Sequence, residues 1–452
     1  MSKRYLSIAS SNGGSGTFGF SKGNPQLNFL ISNNGILQTQ ELRLQGTFKR
    51  VLNTNNAGLN EVDQTVDCNV DGFIGVQSTI GNLEISSRQY SNKSLESIQN
   101  YPKLVGNFMS GLHSKSGLET QLFHEQGSRG YGVNTPVEDP HFDSTNAGTS
   151  YSSAGQILAN RKVYCSKNGF DFDIRLVCGM FMSNDLDLEN IGGLLITINL
   201  SPDSNVLYDS NNGSTAGLYH YEIHNPRLVC PVISKTSQQQ LQSVQNPSPV
   251  INFLSFTSLY NTITSTDNQV VHKVSLRGVI SSMSNFVPTS YINNFGENGN
   301  AQYNPAIEKL VYNVSGKRFP YEYSLQTDYN QQASFGAQPS TYPQLLRNYM
   351  DSFRNSKDIK KSCLNPLICG SDSQVAKHGL FGIGASYDAV SNAGIPAQVD
   401  TLGFEIQSKL MNPVEHDTAV GSCVPINYSC YTYYLCRNSI QVVSGQGIQV
   451  VQ

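Results

Sequence analysis

The sequence predicts an all-β protein built from two tandem β-sandwiches, with a short helix in each. Three observations predict this. Segments rich in Val, Ile, Thr, Tyr and Phe fill most of the chain, turn residues separate them at short intervals, and one helical segment occurs twice. Residues 101–109 (YPKLVGNFM) return 241 positions later as residues 342–350 (YPQLLRNYM). Tyr101, Leu104, Val105, Phe108, Met109 and Leu112 form the apolar stripe of a helix packed on a core. Tyr342, Leu345, Leu346, Tyr349, Met350 and Phe353 repeat it. Asn100 and Thr341 are placed to cap these helices, and Pro102 and Pro343 sit in the first turn, where proline forfeits no donor.

Further matches follow in order. Residues 42–46 (LRLQG) resemble 274–278 (VSLRG), 193–200 (GLLITINL) resemble 403–410 (GFEIQSKL), and 219–223 (YHYEI) resemble 431–435 (YTYYL). The spacing between matches shrinks from 241 to 210 after the helix, so about 31 extra residues lie in the first half, assigned to the polar, Gly-rich stretch 125–156. The period is too long for a solenoid or a propeller blade. Strands are expected at 26–32, 36–52, 73–85, 161–182, 193–200 and 218–234, then at 250–263, 270–286, 307–323, 379–385, 401–411 and 428–443. The Gln-rich stretch 235–249, with two prolines, reads as a linker. The expected organisation is an N-terminal arm at 1–19, a first sandwich at 20–235, a linker at 236–249, a second sandwich at 250–445 and a tail at 446–452.

Composition narrows the function. Charged residues make up 14% of the chain, against roughly 25% in an average globular protein. Ser, Asn, Gln and Gly fill the difference, which suits a protein whose flanks are buried in an assembly. A net charge of −3 gives no general attraction to nucleic acid, and no sequence-specific binding is expected. The first residues lack the apolar core of a signal peptide, and no apolar run approaches the ~18 residues that span a bilayer. The nine Cys (68, 165, 178, 230, 363, 369, 423, 430 and 436) are irregularly spaced without a C-x-x-C pair, so free thiols and a reduced folding site are expected. Cys363 and Cys369 are the pair closest to a bridge, and Asn92-Lys93-Ser94 is expected to be unglycosylated.

The motifs with chemical content carry little. Gly14, Gly16 and Gly19 match a dinucleotide fingerprint by letter, but the strand before and helix after are missing, so a flexible N-terminal segment is expected. Asp67, Asn69, Asp71 and Gly72 match half a calcium loop, and Ser78 stands where its bidentate Glu belongs, so a turn is expected. His220 and His224 lie on a strand, where a spacing of four does not bring two ring nitrogens to one metal. Arg354, Lys357, Lys360 and Lys361 end the second helix, where cations complement its dipole. No catalytic, cofactor-binding or metal residue is assigned, and no enzymatic activity is expected.

Residues 42–50, residues 186–200 (LDLENIGGLLITINL), the Tyr-rich strand 219–223, residues 314–320 (VSGKRFP) and residues 382–410 carry a resemblance. The chain resembles double jelly-roll major capsid proteins, closest to those of polinton-like viruses and virophages. The resemblance implies two tandem jelly rolls and a homotrimer whose six sandwiches give a pseudo-hexameric capsomer. Such capsomers tile the icosahedral capsid of a double-stranded DNA virus. It implies a structural protein of the virion, assembled inside the host cell beside penton and minor capsid proteins, with an inner contact to genome or membrane left open. The alternatives are a receptor-binding β-sandwich, supported only by the half calcium loop, a minor capsid β-sandwich, which usually needs only one roll so that the duplication counts against it, and a β-sandwich glycosidase, which needs two carboxylates facing one cleft.

Overall fold

The structure, a computed structural model, describes residues 3–12, 16–53, 66–68, 75–88, 93–112, 169–182, 185–209, 216–239, 250–264, 269–276, 278–295, 299–300, 302, 307–324, 343–353, 382–387, 399–408, 427–443 and 447–451. Eight principal strands precede the chain midpoint: β1 (Lys3–Ala9), β2 (Gln26–Ile31), β3 (Arg43–Leu52), β4 (Ile80–Ser87), β5 (Ser94–Ile98), β6 (Phe170–Arg175), β7 (Leu194–Leu200) and β8 (Tyr219–Ile233). Eight more follow: β9 (Val250–Ile263), β10 (Gln269–Leu276), β11 (Val279–Pro288), β12 (Ile307–Val314), β13 (Lys317–Ser324), β14 (Ile383–Ser386), β15 (Val399–Ser408) and β16 (Tyr428–Val443). A last strand, β17 (Gly447–Val451), turns back on β16.

In the first half β1, β8, β3 and β6 lie side by side, as do β2, β7, β4 and β5. In the second half β9, β16, β11 and β14 form one row and β10, β15, β12 and β13 the other. Each strand of the second half thus takes the place of the strand eight earlier, and both halves have jelly-roll order. The helices also correspond: α1 (Tyr101–Leu112) lies between β5 and β6 in sequence, and its counterpart (Pro343–Ser352) between β13 and β14. The inner rows join into one nine-stranded sheet through a parallel bridge between Ser97 of β5 and Thr257 of β9.

Alternation builds each core. Along β7 every second residue is buried, and Leu194, Ile196 and Ile198 point inward, as the two-residue period of a strand requires. They share the first interior with Phe29, Phe48, Ile85 and Tyr221. The second interior holds Val270, Phe286, Leu310, Tyr312, Phe404 and Tyr434.

Several expectations change. The first residues are not an arm: β1 pairs antiparallel with β8 from Lys3 opposite Ile233 to Ala9 opposite Arg227. Nor is the end a tail, because Val450 of β17 lies opposite Ile440. Asn100 adopts a left-handed backbone (φ 52) and anchors α1 through its main chain: its N–H donates to Asn82 Oδ1, and its carbonyl accepts from the Tyr433 hydroxyl. Thr341 and Tyr342 lie outside the described residues. The match of 42–46 to 274–278 joins non-equivalent positions, since Gly46 lies within β3 and Gly278 in the turn before β11. The match of 219–223 to 431–435 falls on equivalent strands but one residue out of register. Tyr219, Tyr221 and Ile223 face their own interior, whereas in β16 Cys430, Tyr434 and Cys436 do so.

Candidate functional site at the junction of the rolls

β16 is buried on both faces. Its alternate residues Tyr431, Tyr433 and Leu435 belong to the apolar cluster of the first half. Beside it every residue of β11 is buried: Val279 and Phe286 face their own roll, while Ile280, Met283 and Val287 join the first cluster. The second roll therefore lays a sheet face on the first. Phe108 of α1 meets Phe256 of β9 and Phe353 edge-on, at ring distances of 5.8 and 5.4 Å.

Polar groups cross this junction with partners from both rolls. The Tyr433 hydroxyl donates to the carbonyl of Asn100 at 2.7 Å, at the start of α1. The Tyr349 hydroxyl donates to Asn107 Oδ1, and Asn285 Nδ2 donates to the Lys103 carbonyl at 2.8 Å. Asn300 Nδ2 donates to the Asn205 carbonyl at 2.7 Å.

Two buried titratable groups stand here. Glu96, in β5, accepts from the N–H groups of Gly179 and Met180 at 2.8 Å and of Phe256 at 2.7 Å. Gly179 and Met180 open a short helix, α2 (Gly179–Met182). Burial pushes the Glu96 carboxyl up to about 7 against the downward pull of these N–H groups. Burial lowers the Lys103 amine to about 7. Its Nζ lies 3.3 Å from Asn300 Oδ1 and 5.5 Å from the Tyr431 ring centroid. A side chain at Gly179 would place its Cβ 2.7 Å from Ser255 Cα, so only glycine lets α2 approach β9.

The sequence motifs do not meet here. Gly16 and Gly19 flank a short strand, Thr17–Phe18, that pairs with β8, and β2 is the next principal element, so the dinucleotide reading fails; Gly14 lies outside the described residues. Asp67 lies in a short strand, Val66–Cys68, paired with Leu207–Asp209, and Ser78 is buried in a 3-10 turn; Asn69, Asp71 and Gly72 lie outside the described residues. His220 and His224 share a carboxylate: their Nε2 atoms lie 3.1 and 2.9 Å from Glu222, which also pairs with Lys22 at 2.9 Å. Burial opposes ionisation of Glu222, but Lys22 and His220 hold its carboxyl below the ordinary value. No cluster of His, Cys, Asp or Glu fit for a metal occurs among the described residues. Cys178, Cys230, Cys430 and Cys436 are buried free thiols. Arg354, Lys357, Lys360, Lys361, Cys363 and Cys369 lie outside the described residues.

The sequence could not single out Glu96 or Lys103, because their partners lie some 80 to 200 residues away. The one signal was Lys103 standing in the repeated helix.

No family model and no curated protein matches the chain in sequence. Solved structures do match over its whole length. The Sputnik virophage structure covers 100% of this chain and 88% of its own, with 10% identity and a TM-score of 0.56. The PBCV-1 capsid protein VP54, fitted into a reconstruction of Sputnik, covers 100% and 97%, with 10% identity and a TM-score of 0.54. The Faustovirus major capsid protein covers 97% and 90%, with 9% identity and a TM-score of 0.53. With two rolls of one strand order packed on a shared apolar junction, the chain has the double jelly-roll fold found in these viral capsid proteins.

Proposed function

We propose that this chain is the major capsid protein of a double-stranded DNA virus, self-associating as a homotrimer that tiles an icosahedral shell. The observation that carries the reading is the pair of jelly rolls fused through a common nine-stranded sheet. Fusion of two rolls in a rigid unit gives a trimer six similar lobes, and six lobes fill a hexagonal lattice position. The full-length likeness to capsid proteins supports it. The proposed domains are a first roll from β1 to β8 and a second from β9 to β17, joined near residues 236–249. Low charge leaves neutral surface for the interfaces between neighbours, including penton and minor capsid proteins. The role is geometric, without catalysis, and its place is the virion.

Light scattering of the purified protein at micromolar concentration is expected to give three times the 49.5 kDa chain mass. Negative-stain images are expected to show hexagonal capsomers or closed shells. A protein that stays monomeric in native buffer and forms no particles would count against the reading.

A further inference from the structure

We propose that the junction binds a buried water that bridges the two rolls, accepting from Lys103 Nζ of the first and donating to Asn285 Oδ1 and Gln302 Oε1 of the second. The bridge follows from the hydrogen bonds of the closed junction, whatever assembly the protein forms.

Asn285 lies in β11 and Gln302 in the segment before β12, and both are fully buried. Each turns its amide nitrogen to α1. Asn285 Nδ2 donates to the Lys103 carbonyl at 2.8 Å. Gln302 Nε2 lies 3.5 Å from Asn107 Oδ1, one helical turn further on, which also takes the Tyr349 hydroxyl. A main-chain carbonyl can only accept, so the Asn285 amide must face it and Oδ1 must face away. Asn285 Oδ1 and Gln302 Oε1 are sealed from solvent and meet no donor among the described residues. A carbonyl oxygen so placed forfeits the bonds that water gives it in the unfolded chain, and native proteins leave few such atoms unsatisfied.

A donor stands at the same turn. Lys103 is 6% exposed, and among the described residues its Nζ has one acceptor, Asn300 Oδ1 at 3.3 Å, and the face of the Tyr431 ring. An amine has hydrogens beyond that one bond, whether or not it is charged. Asn300 precedes Gln302 by two positions, so the amine and both oxygens gather around one turn of α1. Two of the direct bonds here are long, at 3.3 and 3.5 Å, against about 2.7–3.2 Å for a well-formed bond, so these side chains are not drawn tight on one another.

One water satisfies the set. It takes a hydrogen from Nζ and gives its own two to the oxygens, and about three bonds is usual for a buried water. A metal cation would suit the two oxygens but would face the hydrogens of the amine. The seam between the rolls is therefore wet at this turn and apolar where Phe108 meets Phe256 and Phe353.

A crystal structure of the full chain, at a resolution that shows ordered solvent, tests this. A solvent peak within hydrogen-bond reach of Lys103 Nζ, Asn285 Oδ1 and Gln302 Oε1 is expected. Crystals grown in rubidium chloride are expected to give no anomalous signal at that peak. No peak, or a peak that reaches only one of the two oxygens, overturns the bridge. A rubidium signal would make the occupant a monovalent cation and overturn it as well.

Discussion

His272 lies in the second interior between two partners of different kinds. The Tyr434 hydroxyl donates to its Nδ1 at 2.8 Å, and its Nε2–H donates to Asn261 Oδ1. Both bonds are made by a neutral ring, and burial lowers the imidazole to about 4. The folded protein thus binds this proton less readily than the unfolded chain. His272 contributes stability that is complete above pH 6.5 and lost as pH falls through about 4. Lowering the pH from 7 to 4.5 is expected to cost the native protein about 2 kcal/mol more than His272→Gln, measured by urea unfolding at both pH values. Equal losses in the two proteins would show that His272 does not titrate. At this scale the sequence was least legible. Glu96 stands in a short mixed segment, SLESI, and nothing there reveals that N–H groups from residues 179, 180 and 256 converge on it.

Among the elements, β2 shows how an edge is closed. Its outer side would offer free N–H and C=O groups to another chain. The segment after β1 covers them: the Asn28 N–H donates to Ser10 Oγ and Asn12 Oδ1, the Ser11 N–H donates to the Asn28 carbonyl, and Asn12 Nδ2 donates to the Gln26 carbonyl. Removing residues 1–12 therefore deletes a strand of one sheet and uncovers the edge of another. The shortened protein is expected to lose several kcal/mol of stability and to aggregate, measured by thermal unfolding and light scattering. Unchanged behaviour would mean that β1 adds nothing. The expectation of an arm arose because β1 is exposed at most positions, Tyr5 at 64%, so its sequence lacks a buried stripe. The glycines of the matched strands misled in another way. Gly193 takes a left-handed conformation (φ 78) before β7, whereas Gly403 lies inside β15, where a Cβ would meet the Val270 carbonyl oxygen at 1.9 Å. One letter serves two needs, a turn and a close approach.

At the scale of the whole molecule the two rolls differ most after their helices. Residues 113–169 connect α1 to β6, whereas residues 353–382 connect the second-roll helix to β14. The stretch 125–156 falls within the longer connection and lies outside the described residues. Since the second roll closes without such a stretch, we propose that it serves contacts between subunits. Shortening it to the second-roll length is expected to leave the unfolding temperature of the chain within a few degrees, while weakening trimer or shell formation as seen by light scattering and electron microscopy. A shortened chain that does not fold would place the stretch in the core, and one that assembles normally would remove it from the interfaces.

The sequence by itself determined the class of fold. Period-two alternation marks strands wherever one face meets a core and the other meets water, as in β7, and the repeated helical stripe marks two similar halves. Tertiary structure alone decided how the halves meet. In β16 and β11 both faces are buried, so the contrast that fixes a face in sequence is gone, and a match such as 219–223 with 431–435 can slip by one residue unnoticed. The properties of Glu96 and Lys103 follow from the same cause. Alternation tells which residues share a face, but only the folded chain sets a second roll against that face and buries two titratable groups there, with no ion pair to either among the described residues.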